Sequence, residues 1–256
     1  MSSSTNPNGA AREDGRAPNQ LRELSCDFAV NSAADGSARF RLGQTCVEVS
    51  VFGFRGVPVR SELPDRSAIE VSFRGVGGQR KVTDAAAENF LRECVDCALQ
   101  VHEQPRSQCA VAAHVVQDDG GVLAALASAT CLALLDAGLP MTNVFVGVSS
   151  AFDAKGGFLL DPSATEAQAS ANATVVLSCG AEGGRVLACE QHGPLTPTQL
   201  DYVLQSSQAT AAAFAAFVRK SFERSKSPLG FCPIVHIYPD PSSPFALPVR
   251  RTLEPD

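Results

Sequence analysis

The chain has 256 residues, 45% of them hydrophobic and 19% charged, which is enough for one large domain or two small halves sharing a core. A formal net charge of −6 argues against nucleic-acid binding through overall charge, so any such contact has to be local or supplied by partners. The nine cysteines lie mostly in apolar runs, no apolar signal segment opens the chain, and the apolar runs are too short or too glycine-broken to span a bilayer. The expectation is an intracellular protein without a membrane partner, its thiols reduced and mostly buried.

Residues 1–20 are Ser, Asn, Gly and Ala with scattered charges, and read as a disordered segment with local turns at Asp14-Gly15 and Pro18-Asn19. The folded domain is expected over 21–225. Leu24, Cys26, Phe28 and Val30 alternate as a half-buried strand does. Ser37 to Phe40 and Thr45 to Phe54 read as strands of a hairpin, and Ala68 to Phe73 as another strand closed by Gly75, Gly77 and Gly78. Thr83 reads as an N-cap, followed by an amphipathic helix over about 84–100 in which Phe90, Leu91, Cys94, Val95, Ala98 and Leu99 recur at three and four. Cys109 to Val116 is a buried strand.

Asp118-Asp119-Gly120-Gly121 then turns the chain into a helix of small apolar residues from Val122 to Ala137, closed by Gly138 and Pro140. Polar residues are nearly absent from it, so most of its surface should be buried. Strands are expected at Val144 to Ala151 and Gly157 to Leu160, and Asp161-Pro162 should start a loop rich in Ser, Ala and Thr. Ala173 to Ser178 and Arg185 to Cys189 form a hairpin over Gly180–Gly184. Thr196-Pro197-Thr198-Gln199 has the spacing of a capping box with proline at the first helical position, and an apolar face from Leu200 to Phe222 continues it for more than six turns. Residues 226–256 are proline-broken and read as a tail or arm, with Ile234 to Ile237 as a short edge or docking strand. Two rounds of strands followed by a helix bracket the central strand and helix, which predicts an α+β fold with helices on mixed sheets.

Chemistry is concentrated at the glycine turn. Free N–H groups at a helix start can hold a phosphate, and Asp118, Asp119, Asp153 and Asp161 are the acids able to approach it. Two converging carboxylates could hold a divalent ion or protonate a leaving oxygen, although Asp is also common in turns for backbone reasons. No basic side chain occurs from Gln117 to Ala137, so the turn lacks a neighbouring cation for a bound phosphate. Cys94 and Cys97 lie within a helix with no second pair at metal spacing, and the four histidines are widely separated; neither a metal nor a cofactor is expected.

Read in order, Arg12-Glu-Asp-Gly-Arg16 through Leu21-Arg22, Ala34-Asp-Gly-Ser-Ala38, Gly43-Gln-Thr45, Phe52-Gly53, Pro105-Arg106, the Asp118-Asp-Gly-Gly turn, Ala133–Met141 and Leu159-Leu-Asp161-Pro162 resemble the RNase PH family over about residues 12–225. The resemblance implies an RNase PH-like fold (ribosomal protein S5 domain 2-like) with two similar halves. Active members cleave the 3′ end of RNA with inorganic phosphate, holding the phosphate with an arginine at the turn before the central helix and using two aspartates six apart. By that resemblance the arginine position carries Leu123, the first aspartate is Asp161 and the second falls at Ala167, with Glu166 one position off; Gly120 and Gly121 remain of the phosphate turn. Arg92 and Arg106 match arginines that the family uses near RNA, the alternative being structural ion pairs. The family builds six-membered rings, and the eukaryotic exosome adds cap subunits and separate hydrolytic nucleases. The expected partners are therefore other RNase PH-like ring subunits, cap subunits and RNA in the central channel, in nucleus, nucleolus and cytoplasm. The implied role is a non-catalytic ring subunit supporting 3′-to-5′ RNA processing and degradation; the alternatives are an active phosphate-dependent 3′-to-5′ exoribonuclease or an unrelated α+β protein.

Overall fold

Alternation at period two builds the first sheet. In the computed structural model, which describes residues 12, 14–58, 60, 62–79, 81–82, 84–153, 156–168, 171–179 and 184–225, it gives β1 (Leu24–Phe28), β2 (Gly36–Leu42) and β3 (Thr45–Gly56). Leu24, Phe40, Val47 and Val51 on the inner face are fully buried. The first strand stops two residues short of Val30 because Ala29 turns into the left-handed region at φ 53°. β4 (Ala68–Arg74) leads through α1 (Asp84–Ala98) to β5 (Ser107–Gln117), so β4 and β5 pair in parallel while the other pairs are antiparallel. The sheet order is β1-β2-β3-β5-β4.

The central helix is α2 (Val122–Asp136), and every residue from Ala124 to Leu134 is buried. It lies between the first sheet and a second, touching β2 and β3 on one side and β6 on the other. Helix and strand backbones approach so closely that glycine is required. A Cβ on Gly147 would stand 2.5 Å from the Ala124 carbonyl oxygen, and one on Gly36 would stand 2.3 Å from the Ala137 nitrogen. The two buried hydroxyls of α2 are satisfied locally: Ser128 and Thr130 donate to the carbonyls of Ala124 (2.9 Å) and Leu126 (2.7 Å).

The second sheet contains β6 (Phe145–Phe152), β7 (Phe158–Leu160), β8 (Ala171–Ser178) and β9 (Val186–His192) in the order β7-β6-β8-β9, all antiparallel. Between β7 and β8 lies α3 (Ala164–Gln168), where the sequence predicts only loop. The local signal is a capping box: the Ser163 N–H donates to Glu166 Oε2 at 2.9 Å and the Glu166 N–H to Ser163 Oγ at 3.4 Å. α4 (Pro197–Ser225) starts at the predicted box, with the Thr196 N–H on Gln199 Oε1 at 2.9 Å. It lies on β6 and β8, and Phe214 and Phe222 reach Phe40 and Phe28 of the first sheet. No helix among the described residues is long and apolar enough to cross a membrane.

The N-terminal expectation needs correction. Residues 12 and 14–20 are not loose but strapped across the second half. The Gly15 N–H bonds the Arg12 carbonyl (2.9 Å), the Gln20 N–H the Ala17 carbonyl (3.0 Å), and the Leu160 N–H the Pro18 carbonyl (2.8 Å). Composition suggested disorder because the anchors are not apolar side chains but two arginines bonded to distant groups. The remaining residues of 1–11, the Thr83 cap, the turn at 180–183 and the segment 226–256 with its Ile234–Ile237 strand lie outside the described residues.

Candidate functional site

The glycine turn is built for a left-handed backbone. Gly120 and Gly121 have φ of 87° and 67°, and Gly121 is the N-cap residue of α2 with no side chain capping the helix. A Cβ on Gly120 would stand 2.7 Å from the backbone nitrogen of Ala164, so the turn is pressed against the start of α3. Asp118 Oδ1 accepts the Gly120 N–H (3.0 Å), while Thr45 Oγ1 accepts from Asp119 N (3.1 Å) and donates to the Gly120 carbonyl (2.8 Å). The Asp118 carboxylate therefore serves the turn itself, whereas the Asp119 carboxylate lies 3.4 Å from Arg22 Nη1. Leu123, in the first turn of the helix, is half-buried and packs on the core.

Asp161 does reach this turn. It follows β7 with φ 52° and is 1% exposed. Both carboxylate oxygens are gripped by Arg22: Nη2 donates to Oδ1 at 2.7 Å, Nε to Oδ2 at 2.9 Å, and the Arg22 backbone N–H adds a bond to Oδ2 at 3.0 Å. The same guanidinium donates to the carbonyls of Asp119 (2.6 Å) and Gly120 (3.0 Å). Burial works against the arginine's charge, but bonding and attraction to Asp161 and then Asp119 outweigh it and raise its pKa. The cation absent from the local sequence is thus present in space, delivered from 97 residues away and already committed to the protein's own oxygens.

Glu166 faces the strap rather than the glycine turn. Arg12 forks onto it, Nε to Oε1 at 2.8 Å and Nη2 to Oε2 at 2.6 Å, and donates to the carbonyls of Leu160 and Asp161 at 2.9 Å each. The Arg12 hydrogen bonds hold the Glu166 carboxyl down at about 2. Arg16 adds a longer contact to Asp161 (3.7 Å) and bonds Asp14 at 2.5 Å. Ala167, where the resemblance leads one to expect the second acid, sits on α3 as a half-buried methyl.

The three arginines and their carboxylates form a lock joining strap, glycine turn and the β7–α3 corner. Arg12 and Arg22 were missed as site residues because their partners lie 154 and 139 positions away. Arg92 and Arg106 are not brought here. Arg92 is on the exposed face of α1 and bonds Asn89 at 2.8 Å. Arg106 is exposed, with φ 60°, at the start of β5; the glycine turn follows the other end of that strand, about 35 Å away at roughly 3.3 Å per residue. Among the described residues no three His, Cys, Asp or Glu side chains converge to hold a metal.

The model of the 3′ exoribonuclease family, domain 1 (RNase PH), matches residues 20–140. The chain is 32% identical over 235 residues to the Arabidopsis thaliana protein named Exosome complex exonuclease RRP46 homolog, covering 86% of this chain and 98% of that one. It is 29% identical over 210 residues to the Caenorhabditis elegans Exosome complex component RRP46 homolog, covering 81% and 97%. The crystal structure of rice (Oryza sativa) Rrp46 superposes with a TM-score of 0.78 at 27% identity, covering 83% of this chain and all of that one.

Proposed function

The chain belongs to the RNase PH family, its likeness lying with RRP46-like exosome subunits and its fold being the duplicated α+β RNase PH-like one, and from this we propose that it is a non-catalytic member of the exosome's six-membered ring. In this reading it supports 3′-to-5′ RNA processing and degradation in nucleus, nucleolus and cytoplasm as scaffold and channel wall, beside other RNase PH-like subunits and under the cap subunits. The observation that carries the proposal is Leu123 in the first turn of α2, where the family's active members present the phosphate-binding arginine. A half-buried isobutyl group offers no donor to a dianion and resists its desolvation. The second acid is missing as well, at Ala167, and the first, Asp161, has both oxygens engaged by Arg22. Arg92 and Arg106, both exposed, are offered as contacts to RNA phosphates, which would orient the strand without reading its sequence.

The test is to incubate the full chain, alone and assembled with its ring neighbours, with single-stranded RNA and inorganic phosphate. No nucleoside diphosphate release attributable to this chain is expected. Release that disappears in Asp161→Asn, with that variant still folded and assembled, would make the chain a phosphate-dependent exoribonuclease instead.

A further inference from the structure

Phe52 and Arg55 stand three residues apart on β3, a spacing that puts side chains on opposite faces of a regular strand. Here they share one face. The ladder pairs Phe52 with Ala110 and Arg55 with Gln108, so Gly53 and Phe54 together oppose Cys109 in a β-bulge, with Phe54 packed on the core. The extra residue brings the Arg55 guanidinium to 5.0 Å from the centre of the Phe52 ring. Phe52, Arg55, Val57, Pro58, Gln108 and Ala110 line a cavity of about 390 Å³, within the range of small-ligand sites. It lies at the start of β5, the end remote from the glycine turn. Asp35 holds Arg55 at 3.3 Å, and the Gln108 side-chain amide donates to Glu70. Beside the cavity Ser107 pairs with Gly56, and Arg106 before it is exposed with its backbone in the left-handed region at φ 60°. For a residue with a Cβ that conformation is strained, and no described carboxylate pairs with Arg106.

We infer that this cavity takes one nucleotide, its base against the Phe52 ring and the Arg55 guanidinium and its phosphate on Arg106. The inference rests on the RNA contact proposed above for Arg106 and gives that contact a base to go with it. An aromatic face beside a guanidinium receives a flat π-system, and an unpaired arginine receives an anion. A nucleotide carries both on one scaffold, whereas no unmodified protein side chain does. Arg106 is four residues from Ala110 along β5, about 13 Å at roughly 3.3 Å per residue, a gap that the sugar and the arginine's own side chain bridge. Every base has a π-face, and the Gln108 amide nitrogen is already given to Glu70, so the site should accept any base. A mononucleotide free in solution and one residue of a single strand share this chemistry.

The sequence contains no tryptophan, so Phe52→Trp sets a single reporter in the cavity and keeps its π-face. The full-length variant is titrated with a short oligoadenylate and separately with AMP. Saturable quenching is expected, by both ligands if a free mononucleotide suffices and by oligoadenylate alone if the strand is required. Phe52→Leu, which keeps the bulk and loses the π-face, should weaken binding of fluorescein-labelled oligoadenylate about tenfold, the order of one stacked base. Arg106→Ala should weaken it several-fold. In the unmodified chain, free and assembled with its ring neighbours, hydrogen exchange of residues 52–58 and 108–110 reads the same site and should slow on adding oligoadenylate. Circular dichroism reports folding, and the exchange measurement decides if a variant melts early. Unchanged affinity in folded Phe52→Leu, with no quenching and no slowed exchange, overturns the inference and leaves the phosphate contact of Arg106 standing. No binding of either ligand, by free or assembled chain, removes that contact as well. Exchange that slows on assembly alone, with no further change on adding either ligand, also overturns the inference and makes a neighbouring protein the occupant.

Discussion

Arg22 is the residue on which the site turns, because one guanidinium satisfies a buried carboxylate and two turn carbonyls at once. Removing one partner of a buried ion pair leaves a desolvated charge, so Arg22→Met should cost about 3–5 kcal/mol in urea unfolding. The double variant with Asp161→Asn should recover much of that loss, since the stranded charge is gone; an equally large loss in the double variant would contradict the pairing. Glu166 gives a separate pH signature. Its carboxyl lies at about 2 against an ordinary 4.5, so its contribution is complete above about pH 4.5 and is lost as pH falls through about 2. Glu166→Gln should therefore flatten the part of the unfolding curve between those pH values and change its shape little at neutral pH. The sequence displayed both acids but neither arginine's role, because an ion pair spanning more than a hundred residues leaves no local pattern.

Among the elements, α2 contributes most to the architecture and depends most on small residues. Gly147→Ala puts a methyl 2.5–2.6 Å from the backbone of Ala124, with no flexible side chain to yield. A loss of about 3 kcal/mol is expected, at or above the upper end of ordinary core overpacking, and a lowered thermal midpoint would report it. The helices α1, α2 and α4 were legible from period, caps and breakers, and the strands from alternation, with ends moving by a few residues. α3 was hidden because five residues cannot establish a helical period, although Ser163 and Glu166 stand at capping-box spacing. The strap was hidden for the opposite reason: its composition is that of a disordered segment, and what holds it down is polar and distant in sequence, the Glu166 carboxylate and the carbonyls of Leu160 and Asp161 on Arg12 and the Leu160 N–H on the Pro18 carbonyl.

At the scale of the molecule, α2 is shared by both sheets and α4 ties the second to Phe28 and Phe40 of the first. Neither half can open without exposing that common core, so the chain should unfold in one transition. The thiols provide the probe. Burial pushes Cys94 and Cys131 up to about 12 and Cys109 to about 11, whereas Cys97 is exposed. A thiol reagent near pH 8 should label Cys97 promptly and reach Cys94, Cys109 and Cys131 only along the urea transition followed by circular dichroism. Earlier labelling of Cys131 alone would mean that the halves separate before they unfold.

By itself the sequence determined the order of every element but α3, the buried central helix and the family. These are properties of spacing and side-chain type, which are written locally. Tertiary structure alone decided that Arg22 and Arg12 take up Asp161 and Glu166, that the N-terminal strap is ordered around them, and that Arg106 lies at the far end of β5 from the glycine turn. Those facts depend on which strands pair and which helix lies between the sheets, and electrostatic partners are chosen by distance in space rather than along the chain.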